Sequence, residues 1–333
     1  MLIIYIVVTI IFCLLLAAWF FTQHIDKKIE NGIRPPGQFL NVQQEEFHYI
    51  KQGDGPALIL IHGLSGNALN FSDLAQQLAK YYTVYSIDRP GNGFSTRSRS
   101  TSANFNVQSA AILDWMTQLG LNQAHVAGHS MGGAIALRLA IDAPEKIKSV
   151  SLLCPLTVPL TKGPGPLSML YIPYQGLRYF VSRTIATPLR VFIGKKHIAQ
   201  VFSPERVPSN FANECGGALA LHSQSFYQAS SDMVGSIESL YQQFRLYESI
   251  SCPMGVLFGE SDPILSPDTH MSFIVESIPD SITQTISGAG HMIINTQPDA
   301  CFHFINQVSG VSTAVTNETT VDASASLDVK LSE

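Results

Sequence analysis

Residues 128–133 read GHSMGG, and whether the chain is an enzyme turns on what Ser130 is. The first five residues fit the pattern G-x-S-x-G, in which a serine sits on a sharp turn between a strand and a helix. A pattern this short also arises by chance in chains rich in Gly and Ser, so its flanks decide its meaning. QAHVAG leads in and MGGAIALRLAI leads out, a short apolar run followed by a small-residue helical stretch. Gly128 and Gly132 suit such a turn, because side chains two residues either way would collide where strand and helix nearly touch. Gly133 adds room at the helix start, where the free N–H groups favour negative charge on the seryl oxygen.

Working outward, short apolar runs of the same kind recur at residues 57–61 (ALILI), 83–87 (TVYSI), 124–127 (AHVA), 149–154 (SVSLLC) and 254–258 (MGVLF). Each is too short for a helix and suits a strand buried on both faces. Residues 46–51 (EFHYIK) read as an edge strand. Helical periodicity lies between them at 71–82, 107–119 and 131–141, and a last helix is expected at 299–308. This alternation predicts an α/β class, with a mostly parallel sheet covered by helices on both faces. The rhythm breaks between residues 156 and 250, which carry TKGPGPL, the aromatic stretch SMLYIPYQGLRYF and helical patterns without a buried strand. That segment is expected to be an inserted helical cap, between core segments at 43–155 and 251–309. From residue 310 to 333 the chain is rich in Ser, Thr and Ala and free of aromatics, as in a disordered tail.

The N-terminus adds a separate element. Residues 2–21 (LIIYIVVTIIFCLLLAAWFF) contain no charge, and as a helix at ~1.5 Å per residue they would cross a bilayer's hydrocarbon core. A cleaved signal peptide is the rival reading, but the start MLIIY is not basic and the exit AAWFFTQH is not of the A-x-A kind. A membrane anchor is therefore assigned to residues 1–23, and residues 24–42, with IENGIRPPGQ, read as a linker. Lys27, Lys28 and Arg34 follow the span and no basic residue precedes it, so the positive-inside rule favours a cytoplasmic domain on a single-pass anchor.

Composition excludes other classes. Of 333 residues, 46% are hydrophobic and 14% charged, enough for a substantial core. Lys plus Arg total 20 against 25 for Asp plus Glu, which leaves no basic footprint for nucleic acid. The cysteines, Cys13, Cys154, Cys215, Cys252 and Cys301, are odd in number and scattered, so they read as free thiols with neither a disulfide framework nor a zinc site. DRPGNGF holds only G-x-G, too weak for a dinucleotide, so no cofactor or metal is expected. Oligomeric state leaves no trace in the sequence.

A serine hydroxyl needs a base to take its proton and a third group to orient that base. Downstream, GVLFGESDPIL places Asp262 just past a buried strand, with Glu260 and Asp268 as neighbouring acids, and ISGAGHMI places His291 in a Gly-flanked loop. The order Ser, Asp, His, with LILIHGLSGN (58–67), YSIDRPGNGFS (85–95), VAGHSMGG (126–133), FGESDPIL (258–265) and GAGHMI (288–293), resembles the α/β-hydrolase fold superfamily. Within it the chain is similar to capped esterases, monoacylglycerol lipases and haloperoxidase-like hydrolases.

The resemblance implies a triad of Ser130, Asp262 and His291, and an oxyanion hole from the backbone N–H groups of Leu64 and Met131. It makes His62 and Gly63 supports of that hole, and Asp88, Arg89 and Gly91 supports of the site. A Ser nucleophile argues against the dehalogenase and epoxide hydrolase branches, which use Asp. The expected reaction is hydrolysis of a small-molecule carboxylic ester, lipophilic and acylglycerol-like, through an acyl-enzyme. C–C hydrolysis, thioester or amide cleavage and acyl transfer stay open on the same triad, and a catalytically silent membrane-bound relative is the reading from another class.

Overall fold

A computed structural model of the chain describes residues 1–159 and 165–312; of the tail expected from residue 310, residues 313–333 lie outside the described residues. In chain order the core begins with the long helix α1 (Leu2–Gly32), strands β1 (Gln38–Val42), β2 (Glu45–Gln52) and β3 (Ala57–Ile61), and helix α2 (Ser72–Leu78). There follow β4 (Thr83–Ile87), α3 (Phe105–Gln118), β5 (Ala124–His129), α4 (Met131–Asp142) and β6 (Ile147–Leu153). Three longer helices, α5 (Gln175–Arg183), α6 (Ala186–Phe202) and α7 (Ser223–Gln243), then intervene before β7 (Met254–Gly259). The chain closes with α8 (Pro267–Ser277), β8 (Ile282–Ile286), α9 (Ile293–Thr296) and α10 (Pro298–Ser309).

The strands form one eight-stranded sheet in the order β1-β2-β4-β3-β5-β6-β7-β8. From β4 to β8 all neighbours are parallel, and β1 and β2 join antiparallel at one edge. Every residue of β4 and β5 is buried, so helices cover both faces, as their short, mostly apolar runs predict. α3 packs on α4, and α2 on α10.

Two strands escaped the sequence reading. β1 lies where a linker was read, and its partner β2 is second in the sheet rather than its edge. β8 (ITQTI) has three exposed residues in a row, so the other edge lacks the apolar run that marked the inner strands.

The helices between β6 and β7 carry their own small apolar cluster, with Leu170, Ala186, Phe226, Ala229 and Met233 buried together. They are tied to the sheet by a buried ion-pair network. Asp232 of α7 meets Arg89 at 2.9 Å and Arg97 at 2.7 Å, all three side chains being sealed from solvent. Burial pushes the Asp232 carboxyl up, but the two guanidiniums outweigh it and the net shift is downward.

α1 continues past the apolar stretch to Gly32, and its last turns dock on these helices. Thr22, Asp26 and Ile29 are buried on one stripe. The Asp26 carboxylate accepts from the Ser223 N–H at 2.8 Å and from the Ser223 hydroxyl, which places an anion at the N-terminus of α7 where the helix dipole favours it. Arg183 approaches the same carboxylate at 3.5 Å, and the Thr22 hydroxyl donates to the Thr184 carbonyl. In contrast, the window of α1 apolar enough to cross a membrane has nothing packed on it.

Candidate active site

β5 ends at His129 and α4 starts at Met131, which leaves Ser130 alone at the turn with φ 54° and ψ −121°. This left-handed φ is uncommon outside glycine and holds the hydroxyl clear of both elements. Two glycines make it possible. A β-carbon on Gly128 would lie 2.4 Å from the Gly132 carbonyl oxygen, and one on Gly132 would lie 2.1 Å from the Ile61 oxygen. Ser130 N–H donates to the Leu153 carbonyl of β6 at 3.0 Å, which anchors the turn to the sheet.

The structure brings Ser130, His291 and Asp262 together. Ser130 Oγ stands 3.1 Å from His291 Nε2, and His291 Nδ1 stands 2.7 Å from Asp262 Oδ2. The other carboxylate oxygen of Asp262 accepts the N–H groups of Ile264 and Leu265 at 2.8 and 3.0 Å. Burial tends to raise the Asp262 carboxyl, but His291 and these hydrogen bonds outweigh it and hold it below the usual range. An Asp262 carboxylate makes Nδ1 of His291 the protonated nitrogen and leaves Nε2 free to accept the seryl proton. Glu260 is exposed and takes the Ser287 hydroxyl, and Asp268 sits in the first turn of α8, so neither alternative acid pairs with His291.

The loop after β3 lies against Ser130. A β-carbon on Gly63 would stand 2.9 Å from the Ser130 β-carbon, and Met131 is the first residue of α4, so its N–H has no partner inside the helix. The imidazole of His62 is locked: Nδ1 donates to the Gly63 carbonyl and Nε2 accepts the Arg89 N–H. Complete burial, with Arg89 adding to it, lowers His62 to about 3, which keeps the ring neutral. The buried Arg89 guanidinium donates to the carbonyls of His62 and Gly63, both at 3.0 Å, and so holds the Gly63–Leu64 peptide that carries the Leu64 N–H together with the peptide before it. Asp232 and Gln108, which anchor Arg89, were not foreseen; nothing local in SDMVG marks Asp232 as buried, and only the distant Arg pair does.

His129 also borders the serine. Its Nε2 donates to the His291 carbonyl at 2.9 Å, and burial with the neighbouring His291 lowers it to about 3. Cys154 lies behind the acid; together with Asp262 and His291 it is the one group of metal-ligand side chains that converges among the described residues. There Asp262 and His291 are already engaged with each other, and burial raises the Cys154 thiol, so the donor set does not favour a cation.

The serine and His291 open into a cavity of about 420 Å³, bounded by the helices between β6 and β7. Its walls are mostly apolar, with Leu64, Leu170, Ile198, Phe202, Phe211 and Met292 among them.

Four buried imidazoles set the acid limit of the fold. Burial lowers His62 and His129 to about 3 and His125 and His270 to about 4. In the unfolded chain each titrates near 6.5, so below that pH the unfolded state binds protons the native state refuses. Stability should therefore fall with falling pH from about 6.5 towards 4, by up to about 1.4 kcal/mol per pH unit for each imidazole. Urea midpoints measured from pH 7.5 to 4.5 check this. A flat profile would show that these rings gain protons in the folded protein.

The family model described as alpha/beta hydrolase fold matches residues 56–298. Over 243 residues the chain is 27% identical to Lipase 3 of Moraxella sp. (strain TA144), which covers 72% of each protein. Over 120 residues it is 37% identical to the dihydrolipoyllysine-residue acetyltransferase component of the acetoin cleaving system of Cupriavidus necator; this covers 36% of the chain and only 32% of that protein's length. Among solved structures, a membrane phospholipase A matches with a TM-score of 0.63 at 20% identity, over 94% of this chain and 97% of that one. With the family match spanning most of its length, the chain belongs to the alpha/beta hydrolase family.

Proposed function

We propose that the protein is a membrane-anchored serine esterase acting on lipophilic, acylglycerol-like carboxylic esters. The observation that carries this reading is the hydrogen-bonded line from Ser130 through His291 to Asp262, opening into a mostly apolar cavity. Ser130 Oγ attacks the ester carbonyl while His291 Nε2 takes its proton. The oxygen gains negative charge in the tetrahedral intermediate, where the N–H groups of Leu64 and Met131 are its donors, the first held by Arg89 and the second aided by the α4 dipole. His291 then gives the proton to the departing alcohol. Water, deprotonated by the same nitrogen, releases the acid from Ser130. Asp262 keeps the imidazole oriented and stabilises its positive charge in both halves.

Residues 156–250 act as the cap that shapes the acyl site. α1 serves as a retained anchor, because removing residues 1–23 as a signal peptide would take away Thr22 and detach Asp26 from the helix that carries it to Ser223. Lys27, Lys28 and Arg34 beyond the span favour the cytoplasmic side for the domain.

A fluorophosphonate probe tests the reading. It should label the full-length protein once, at Ser130 by peptide mapping, and p-nitrophenyl esters should be turned over better as the acyl chain lengthens. A folded protein that stays unlabelled would overturn the nucleophile assignment. A labelled protein that turns over thioesters or C–C substrates in preference to oxygen esters would move the activity elsewhere in the family.

A further inference from the structure

The cavity over Ser130 has a charge asymmetry that hydrolysis of a neutral ester does not require. The chain as a whole carries a formal net charge of −5. Yet the cavity walls hold Arg190, Lys195 and His197, all from α6, and no Asp or Glu. Arg190 is partly buried. Its Nη1 donates to the Ala220 carbonyl, and its guanidinium lies over the Phe226 ring, 5.3 Å from the centroid. Among the described residues no carboxylate comes within ion-pair distance of it; Arg178 is also without one but spends its donors on the Ile172 carbonyl and the Ser231 hydroxyl, whereas Arg89, Arg97, Arg138 and Arg183 each have a carboxylate. Burial lowers Arg190 to about 10, which still leaves it a cation at neutral pH. A guanidinium drawn partly out of water without a counter-charge is costly, and the Ala220 carbonyl takes only one of its five N–H donors. An occupant of the cavity can supply both the charge and the acceptors.

The place of Arg190 along α6 sets the shape of that occupant. Arg190, Gly194, Ile198 and Val201 follow one stripe of the helix and all line the cavity. At its far end the helix reaches the catalytic loop: the Ser203 carbonyl abuts Gly290, and Glu205 accepts the Gly290 N–H at 3.0 Å, one residue before His291. Arg190 precedes Phe202, the end of the helix, by three turns and more, or roughly 18 Å along the axis. The wall between is apolar apart from Lys195 and His197.

We propose that Arg190, with Lys195 nearby on the same wall, forms an anion subsite, and that the preferred substrate is an ester carrying a carboxylate or phosphate at the far end of a long apolar chain. The inference rests on the esterase reading of Ser130 and narrows its substrate class. Guanidinium suits either oxyanion, because its planar fork can pair with two acceptor oxygens.

The experiment uses the full-length protein in neutral detergent and three p-nitrophenyl esters of equal chain length: plain dodecanoate, the half-ester of dodecanedioic acid, and the ester of an ω-phosphorylated dodecanoic acid. The wild type should favour one or both anionic esters by at least about 10-fold in kcat/KM. Arg190→Gln should erase that preference through a rise in KM for the anionic esters relative to dodecanoate, and Arg190→Lys should restore part of it. Comparison of the two anionic esters tells a carboxylate site from a phosphate site. Binding of dodecyl phosphate and dodecanedioate, followed by calorimetry in wild type and Arg190→Gln, reads the subsite without any turnover. Loss of fluorophosphonate labelling with retained Arg190-dependent binding would sink the esterase reading and leave the subsite standing. Equal turnover of all three esters, or an Arg190→Gln variant that binds both anions as the wild type does, would overturn the subsite.

Discussion

Ser130→Ala is expected to lower kcat for any ester by on the order of 10⁶-fold while the protein stays folded. The size follows from the proposed roles, since the alanine removes the oxygen assigned to the attack and leaves His291 with no seryl proton to collect. The oxyanion donors and the cavity survive, so binding and a residual acceleration over water remain. The hydroxyl is partly buried and makes a single side-chain hydrogen bond, so its loss changes stability by no more than about 1 kcal/mol. Leu64→Ala is the matched control. The proposed donor there is the backbone N–H, which the substitution keeps, so the rate should stay within roughly 10-fold of wild type. Pre-steady-state kinetics with a p-nitrophenyl ester measures both. A burst that persists in Ser130→Ala would place the nucleophile elsewhere.

Gly132→Ala is the second large effect, and it strikes the fold before the chemistry. The new β-carbon would meet the Ile61 oxygen at 2.1 Å and the His62 oxygen at 2.7 Å, both of them backbone atoms unable to swing away. β3 and α4 must then separate at the point where Ser130, Gly63 and the Met131 N–H meet. We expect a loss of at least about 3 kcal/mol in stability, together with loss of fluorophosphonate labelling in whatever fraction still folds. Thermal unfolding alongside labelling checks this. A variant with wild-type Tm and wild-type labelling would mean that the elbow is looser than these distances require.

Much of this architecture was legible in the chain because its signals are local. Strands buried on both faces are mostly apolar along their length, so β3, β4 and β7 announce themselves as ALILI, TVYSI and MGVLF. The elbow declares itself through glycines that no other residue could replace. Ser130, Asp262 and His291 were readable together because each follows a strand or sits in a Gly-flanked loop at the same end of a parallel sheet.

What escaped depends on distance in sequence. Asp232 reads as one more polar residue of a helix until Arg89 and Arg97 close on it from more than a hundred residues away. Arg190 reads as a surface charge, and only the folded cavity shows that no acid accompanies it. The edge strands β1 and β8 face water on part of their surface, so their periodicity is too weak to stand out from loop.

The docking of α1 changes what kind of attachment it gives. A helix of 31 residues is roughly 46 Å long, about half as long again as a bilayer's hydrocarbon core. Thr22, Asp26 and Ile29 grip the helical insertion within the first turns beyond the apolar window, without an intervening coil. The connection therefore works as a rigid strut and not as a leash. On the anchor reading proposed above, it would fix the height and facing of the domain over the lipid, with the helices between β6 and β7 nearest the bilayer. On the same reading, lengthening that junction with a flexible spacer would leave the distances among Ser130, His291 and Asp262 untouched and still free the orientation of the domain over the lipid.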